Sequence, residues 1–208
     1  MKNVFYTPAE SIQIINKIKD SKFYGSIKRA DTEKDVEKFI AKIRDMYPDA
    51  SHNVSAYIIG SGDRALKYSD DDGEPAGSSG PPVLQSIEGA GLSNTVIVVT
   101  RYFGGTKLGI GGLIRAYGDT ARLVISEAGK LKLSLYYRIE ISIGYQLLGT
   151  VLGQVEAFHA EIDDTTYMNE KVSIIILLKP ENSEKLHKRL IEKTSNKIIY
   201  HRLGYKYK

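Results

Sequence analysis

The run Val96-Ile97-Val98-Val99 is continuously apolar. Alternate side chains of a strand point to opposite faces, so this run fits a central strand covered on both sides. It continues through Thr100-Arg101-Tyr102-Phe103 into the turn GGTKLGIGG, residues 104–112. A helical pattern follows from about Leu113 to Ala128, with Leu113, Ile114, Tyr117, Ala121, Val124, Ile125 and Ala128 on one face. Strand, glycine turn and helix start, in that order, gather backbone N–H groups where an anion can be held.

Eleven of the 19 glycines lie between Gly73 and Gly118, with three of the six prolines. Glycine this dense weakens helix and strand alike, so it serves either tight turns or backbone brought close to a ligand. Three cations accompany it: Arg101 before the turn, Lys107 within it and Arg115 in the first turn of the expected helix. The candidate anion or nucleic-acid contacts are therefore Arg101, Gly104, Gly105, Lys107, Gly109, Gly112 and Arg115. The standard nucleotide fingerprints fail, because Lys107 follows Gly105-Thr106 and Ile114 stands where GxGxxG needs its third glycine. Close helix–sheet packing explains the same glycines, and Arg115, Asp119 and Arg122 suit the polar face of a helix as paired charges. Both accounts stay open at this level.

The second candidate is YSDDDGEPAGSSGPP, residues 68–82, which is too rich in turn residues for regular structure. Asp70, Asp71, Asp72 and Glu74 supply oxygen ligands or an acid–base pair, but the spacing is not that of a calcium-binding loop. Asp71, Asp72 and Glu74 equally suit turn residues bonding the backbone, or contact with a partner protein. Ser78 and Ser79 serve as nucleophiles only beside a base, and His52 is the nearest histidine in this half. His159, His187 and His201 lack ligand spacing, so no metal and no cofactor is expected. The 14 tyrosines are scattered and form no stacking box along the chain.

Elsewhere the pattern reads as strands over residues 11–20 and 21–30, then a helix capped by Asp31 or Thr32 and closed by Pro48. Its apolar positions are Val36, Phe39, Ile40, Ile43 and Met46. Strands HNVSAYIIG and ALKYSD come next, and Pro81-Pro82 open a short helix VLQSIEGA. From Leu131 the order is βαββαβ, the signature of a ferredoxin-like sandwich with helices on one face of an antiparallel sheet. The expectation is an α+β chain with a boundary near Gly129–Lys132, giving domains 1–130 and 131–208. After Glu192 the chain carries Lys193, Lys197, Arg202, Lys206 and Lys208 and no acid, interleaved with Tyr200, Tyr205 and Tyr207. That mix suits phosphate contact with base stacking, or a lysine-rich edge strand that discourages edge pairing.

Composition narrows the classes. There is no cysteine, which removes disulfide scaffolds, thiolate metal sites and a catalytic thiol. The longest apolar run, about Ile174–Leu178, is far short of the ~20 residues of a membrane helix, and the start MKNVFYTPAE has no secretory apolar core. A soluble, cytoplasmic protein with no membrane partner is expected. The net charge of +4 permits nucleic-acid contact without requiring it.

Two blocks now identify a family resemblance. SKFYGSIKRADTEKDVEKFIAKIRDMYPDASHNVSAYIIG and SDDDGEPAGSSGPPVLQSIEGAGLSNTVIVVTRYFGGTKLGIGGLIRAYGDTAR, together about residues 20–125, closely resemble the Impact/YigZ family. The PDASHN turn, the DGEP loop and the VVTRYFGG-KLG-GGL-RAY block occur together and in order. The resemblance implies an N-terminal domain like the second domain of ribosomal protein S5 and a ferredoxin-like C-terminal domain akin to the last domain of elongation factor G. Eukaryotic Impact proteins regulate translation initiation by interfering with activation of an initiation-factor kinase, through a further N-terminal domain. For the shorter microbial members the family implies no settled activity. The sequence departs from the family by an extra aspartate before DGEP, by Val54 in place of a common cysteine and by Pro81 in place of a common arginine. The expected function is thus a non-catalytic, translation-associated protein that contacts RNA or the ribosome. One alternative is an enzyme of phosphoester or acyl chemistry, which requires Asp72 or Glu74 to face Lys107 and Arg101 in one cleft. Another is a protein-binding module that offers the DGEP loop to a protein partner.

Overall fold

The structure, a computed structural model, describes residues 3–208. The chain divides into two compact units, one ending at Lys132 and the other running from Leu133 to Lys208.

The first unit contains strands β1 (Val4–Pro8), β2 (Ile12–Ile18) and β3 (Ser21–Arg29), helix α1 (Glu33–Met46), β4 (His52–Ile59), β5 (Leu66–Asp70), α2 (Gly80–Gly89), β6 (Thr95–Tyr102) and α3 (Ile110–Ala128). Its sheet has the order β2-β3-β6-β4-β5, and each pair is antiparallel. The central β6 is continuously apolar from Val96 to Val99 because both faces are covered there. Ile97 and Val99 join Phe23, Ile27 and Val54 beneath α2 and α3, while Val96 and Val98 meet Val36, Phe39 and Ile43 of α1. Each such side chain contributes ~1.5–3 kcal/mol on full burial.

Local signals place the helices. Thr32 accepts from the Asp35 amide and the Asp35 carboxylate accepts from the Thr32 amide at 3.1 Å, a capping box that starts α1. That hydrogen bonding holds the Asp35 carboxyl below its ordinary value. Two apolar positions differ from the sequence reading: Met46 and Ile114 are 51% and 43% exposed. Gly109, at φ +71°, turns the chain so that α3 begins at Ile110, three residues earlier than the periodicity indicates. Arg115 consequently lies in the second helical turn, not the first. The sequence pattern also gave no strand at β1, whose Tyr6 carbonyl accepts from the Ser93 amide at 2.8 Å.

The second unit carries most of β7 (Lys130–Gly144), then α4 (Leu148–Ala157), β8 (Glu161–Tyr167), β9 (Lys171–Leu178), α5 (Pro180–Thr194) and β10 (Ile198–Tyr207). The strand order β10-β7-β9-β8, antiparallel throughout, is that of a ferredoxin-like sheet. Ile139, Ile141, Ile143, Ile174 and Ile176 point to one face and pack with Val151 and Val155 of α4 and Leu186 and Leu190 of α5. The architecture is α+β in both units, as expected. Among the described residues no helix is long and apolar enough to cross a membrane.

Candidate functional site

The acidic loop is held by its own carboxylates. Asp71 Oδ1 accepts from the Ser79 amide at 3.0 Å, the Ser79 hydroxyl at 2.7 Å and the Gly80 amide at 2.8 Å, and Oδ2 from the Gly77 amide at 2.7 Å. Burial alone would raise this carboxyl, but the hydrogen bonds outweigh it and hold Asp71 below its ordinary value. Asp72, at φ +46°, accepts from the Asn53 amide at 2.6 Å and from Arg44 at 2.9 Å. Asp71 and Asp72 thus shape the loop and fasten it to β4 and α1. Ser78 and Ser79 are fully enclosed and donate to Pro75 O and Asp71, so neither hydroxyl meets His52. Among the described residues no group of three or more acidic or histidine side chains converges on a metal-sized centre.

Glu74 is different, because the loop carries it inward. Its Oε1 accepts from Arg101 Nη1 at 2.6 Å and from the Tyr117 hydroxyl at 2.8 Å. The two charged side chains are only 4% and 6% exposed. His52 stands beside them: Nδ1 lies 2.8 Å from Asp72 O, which fixes the ring proton there, and Nε2 faces Glu74 Oε1 at 3.9 Å. Burial, and then the Glu74 charge, push the Tyr117 phenol well above its ordinary range. The Tyr117 ring meets Phe23 edge-on at 5.3 Å, and the Arg101 guanidinium lies 5.5 Å from Phe23 and 5.4 Å from Phe103. A buried ion pair of this kind is expensive to desolvate.

The pair opens onto a cavity of about 380 Å³ lined by Glu74, Pro75, Arg101, Phe103, Lys107, Leu108, Gly109, Ile110 and Leu113. Of the sequence candidates, Glu74, Arg101, Lys107 and Gly109 meet here. The start of α3 forms one wall. Leu113 is the first amide to bond within the helix, to Gly109 O at 2.9 Å, and the amides of Ile110, Gly111 and Gly112 find no acceptor among the described residues. Gly104 has a separate cause: a Cβ there would stand 1.9 Å from the Asp20 carbonyl oxygen. Gly105 takes φ +92° with open space around it. Thr106 donates to Asp20 at 2.6 Å and pins the turn. Arg115 does not belong to this cavity. It lines a larger one, about 720 Å³, between α2 and α3 with Arg122 and Lys130. No buried charged group converges on that groove, so the smaller cavity is the candidate site.

An adjoining hollow of about 310 Å³ is lined by Asp20, Lys22, Tyr24, Tyr47, Tyr102 and Phe103. Its three tyrosine rings lie 5.1, 5.9 and 6.3 Å apart, centroid to centroid. The Tyr102 hydroxyl donates to Asp49 at 2.7 Å, and that bond, with burial, pushes its pKa up to about 12. Sequence reasoning missed this cluster, because the rings come from β3, the end of α1 and β6. Phe103 lines both hollows.

Comparison with known proteins adds the lineage. The family model of the Impact N-terminal domain matches residues 19–125, about half of the chain. "IMPACT family member YvyE" of Bacillus subtilis (strain 168) is 36% identical over 180 residues, 82% of each chain. The chain belongs to the Impact family. A second relative of that family, from Haemophilus influenzae, is 30% identical over 200 residues and covers 94% of this chain and 95% of its own. One from Thermus thermophilus, "IMPACT family member in pol 5'region", is 38% identical over 163 residues, 78% of this chain and 87% of its own. A domain of unknown function matches residues 141–197. A solved structure titled "Crystal structure of an hypothetical protein" shares the fold, with a TM-score of 0.69 at 23% identity over 98% of this chain and 99% of that one.

In the C-terminal tail of this Impact-family chain, Lys206 and Lys208 have acids as partners. The tail forms the edge strand β10, where Lys206 reaches Asp163 at 3.4 Å and Lys208 pairs with Glu161. Arg138 and Lys206 hold the Asp163 carboxyl below its ordinary value. Arg202 sits 4.7 Å over the Tyr137 ring, and Tyr200 stacks on His187 at 4.3 Å. These contacts all lie within the second unit.

Proposed function

We propose that this Impact-family chain is a cytoplasmic, translation-associated protein that binds single-stranded RNA without catalysing a reaction on it. One observation carries the reading: Phe103 joins a tyrosine-lined hollow to a cavity bearing Lys107 and the free amides of α3. Aromatic faces stack bases whatever the sequence, at ~1–3 kcal/mol each, while cations and helix amides take phosphate. Ribosome co-sedimentation and fluorescence anisotropy on a short unstructured RNA, at several salt concentrations, test it. Association is expected at low salt and should weaken in Tyr24→Ala and Lys107→Ala. No association at low salt overturns the reading, since phosphate contacts are strongest there.

A second reading, phosphoester or acyl chemistry, is favoured by Glu74, Arg101 and Lys107 lining one cavity. It requires turnover of a phosphodiester or ester substrate that Glu74→Gln abolishes while substrate binding persists.

A further inference from the structure

Glu74 keeps one acceptor unused. Arg101 Nη1 and the Tyr117 hydroxyl occupy both lone pairs of Oε1. Oε2 makes no hydrogen bond. Among the described residues the only fully enclosed side-chain polar atom without a partner is Arg101 Nε. Oε2 is therefore not fully enclosed, on a residue that lines the 380 Å³ cavity. The ion pair thus keeps a spare acceptor beside the cavity, while the unpaired Arg101 Nε is sealed from it. A nearly buried carboxylate oxygen left this way suits a donor that enters from the cavity.

The walls say what kind of partner. Pro75, Phe103, Leu108, Ile110 and Leu113 are apolar, and Phe103 is 47% exposed, presenting a ring face at the rim. Lys107 and the amides of Ile110, Gly111 and Gly112 suit a phosphate. An apolar slot with an acceptor on its floor and an anion-binding rim matches one nucleotide, and the volume is at the small end of ligand pockets.

Base chemistry discriminates further. On their pairing edges adenine and cytosine put a ring-nitrogen lone pair beside the amino donor, and that lone pair would face the carboxylate. Uracil flanks its single N3–H with two carbonyl oxygens. Guanine alone sets two donors, N1–H and N2–H, side by side with the O6 acceptor next to them. Those two adjacent donors suit Oε2 together. We infer that this cavity takes a single guanine of single-stranded RNA, with Glu74 Oε2 reading its N1–H and N2–H and Phe103 stacking on the ring. The inference rests on the RNA-binding reading above and assigns its base preference.

The test uses the whole chain with GMP, AMP, CMP and UMP by ligand-observed NMR, and a uridine-rich octanucleotide carrying one guanine or one adenine by anisotropy. GMP is expected to bind about tenfold tighter than the other three, and the guanine-to-adenine exchange to cost about tenfold. Glu74→Gln should erase the preference. Because that change touches a buried ion pair, Phe103→Ala and the cavity-filling Ile110→Trp, both at exposed rim positions, serve as independent variants and should each weaken GMP about tenfold at an unchanged melting temperature. Lys107→Ala should weaken all four nucleotides alike. Equal binding of the four, or GMP binding untouched by Ile110→Trp, overturns the inference. RNA binding without guanine preference removes it and leaves the proposed function standing, whereas GMP binding without RNA binding overturns the proposed function and leaves only the cavity's selectivity for guanine.

Discussion

Arg101 Nη1 donates to Glu74 Oε1 at 2.6 Å, joining the last turn of the central strand to the loop between β5 and α2. Removing one member of a buried pair strands the other charge, at ~3–5 kcal/mol, whereas replacing both with apolar side chains is often neutral. Arg101→Met alone should therefore lower the stability of the protein by about 3–5 kcal/mol, and Glu74→Leu with Arg101→Met should recover most of it. Denaturant melts check this. A double variant as unstable as the single one would mean that Tyr117 and His52, not charge balance, set the cost.

The two adjacent glycines of the turn predict unlike outcomes. Gly104→Ala drives a Cβ to 1.9 Å from the Asp20 carbonyl oxygen, backbone that cannot swing aside. It should cost about 3 kcal/mol and shift the turn. Gly105→Ala meets no atom within 4 Å and pays only for φ +92°. About 1 kcal/mol is expected there. Thermal melts of the two variants, compared with each other, measure the difference.

Asp71 gives a pH dependence. Its folded-state pKa lies below the ordinary 3.8, so its contribution is fully present above that value and is lost as pH falls through the lower folded pKa. Asp71→Asn should lower stability at neutral pH by about 1–2 kcal/mol through weaker bonds to the Gly77, Ser79 and Gly80 amides. Below about pH 4 the difference between the variant and the parent should shrink. Denaturation midpoints from pH 7 to pH 2.5 follow it, and a constant difference across that range contradicts the assignment.

Periodic features were legible in the chain, and convergent ones were not. Val96–Val99 announced a strand covered on both faces, and the βαββαβ order of the last unit matched its strand order, because both follow from local hydrophobic patterning. Gly109 hid the true start of α3, since only its positive φ sets Gly111 and Gly112 on the helix. The acidic loop read as four interchangeable carboxylates, yet Asp71 and Asp72 bond its frame while Glu74 turns inward. That division depends on which amides come within reach after folding. Tyr117 read as an apolar-face residue and His52 as the opening of a strand, because neither stands near Glu74 in sequence. Tyr24, Tyr47 and Tyr102 escaped notice for the same reason: β3, α1 and β6 bring them together only once the sheet is built.

The tail and the turn make opposite predictions for RNA. Lys206 and Lys208 already have Asp163 and Glu161 as partners, so a phosphate would have to displace a carboxylate that the unit itself supplies. Lys107 is exposed and forms no ion pair among the described residues, beside helix amides without acceptors. Its contact would release counterions in full. Lys206→Ala with Lys208→Ala should thus change RNA affinity by less than about twofold, while Lys107→Ala should reduce the slope of log affinity against log salt by about 0.7, the loss of one single-strand phosphate contact. Tyr24→Ala and Phe103→Ala act on stacking, so each should weaken binding while leaving that slope unchanged. Anisotropy titrations at four salt concentrations separate the two classes. If the tail variant lost the binding and Lys107→Ala kept its slope, the contact surface would lie on β10, and the aromatic hollow beside Phe103 would have another use.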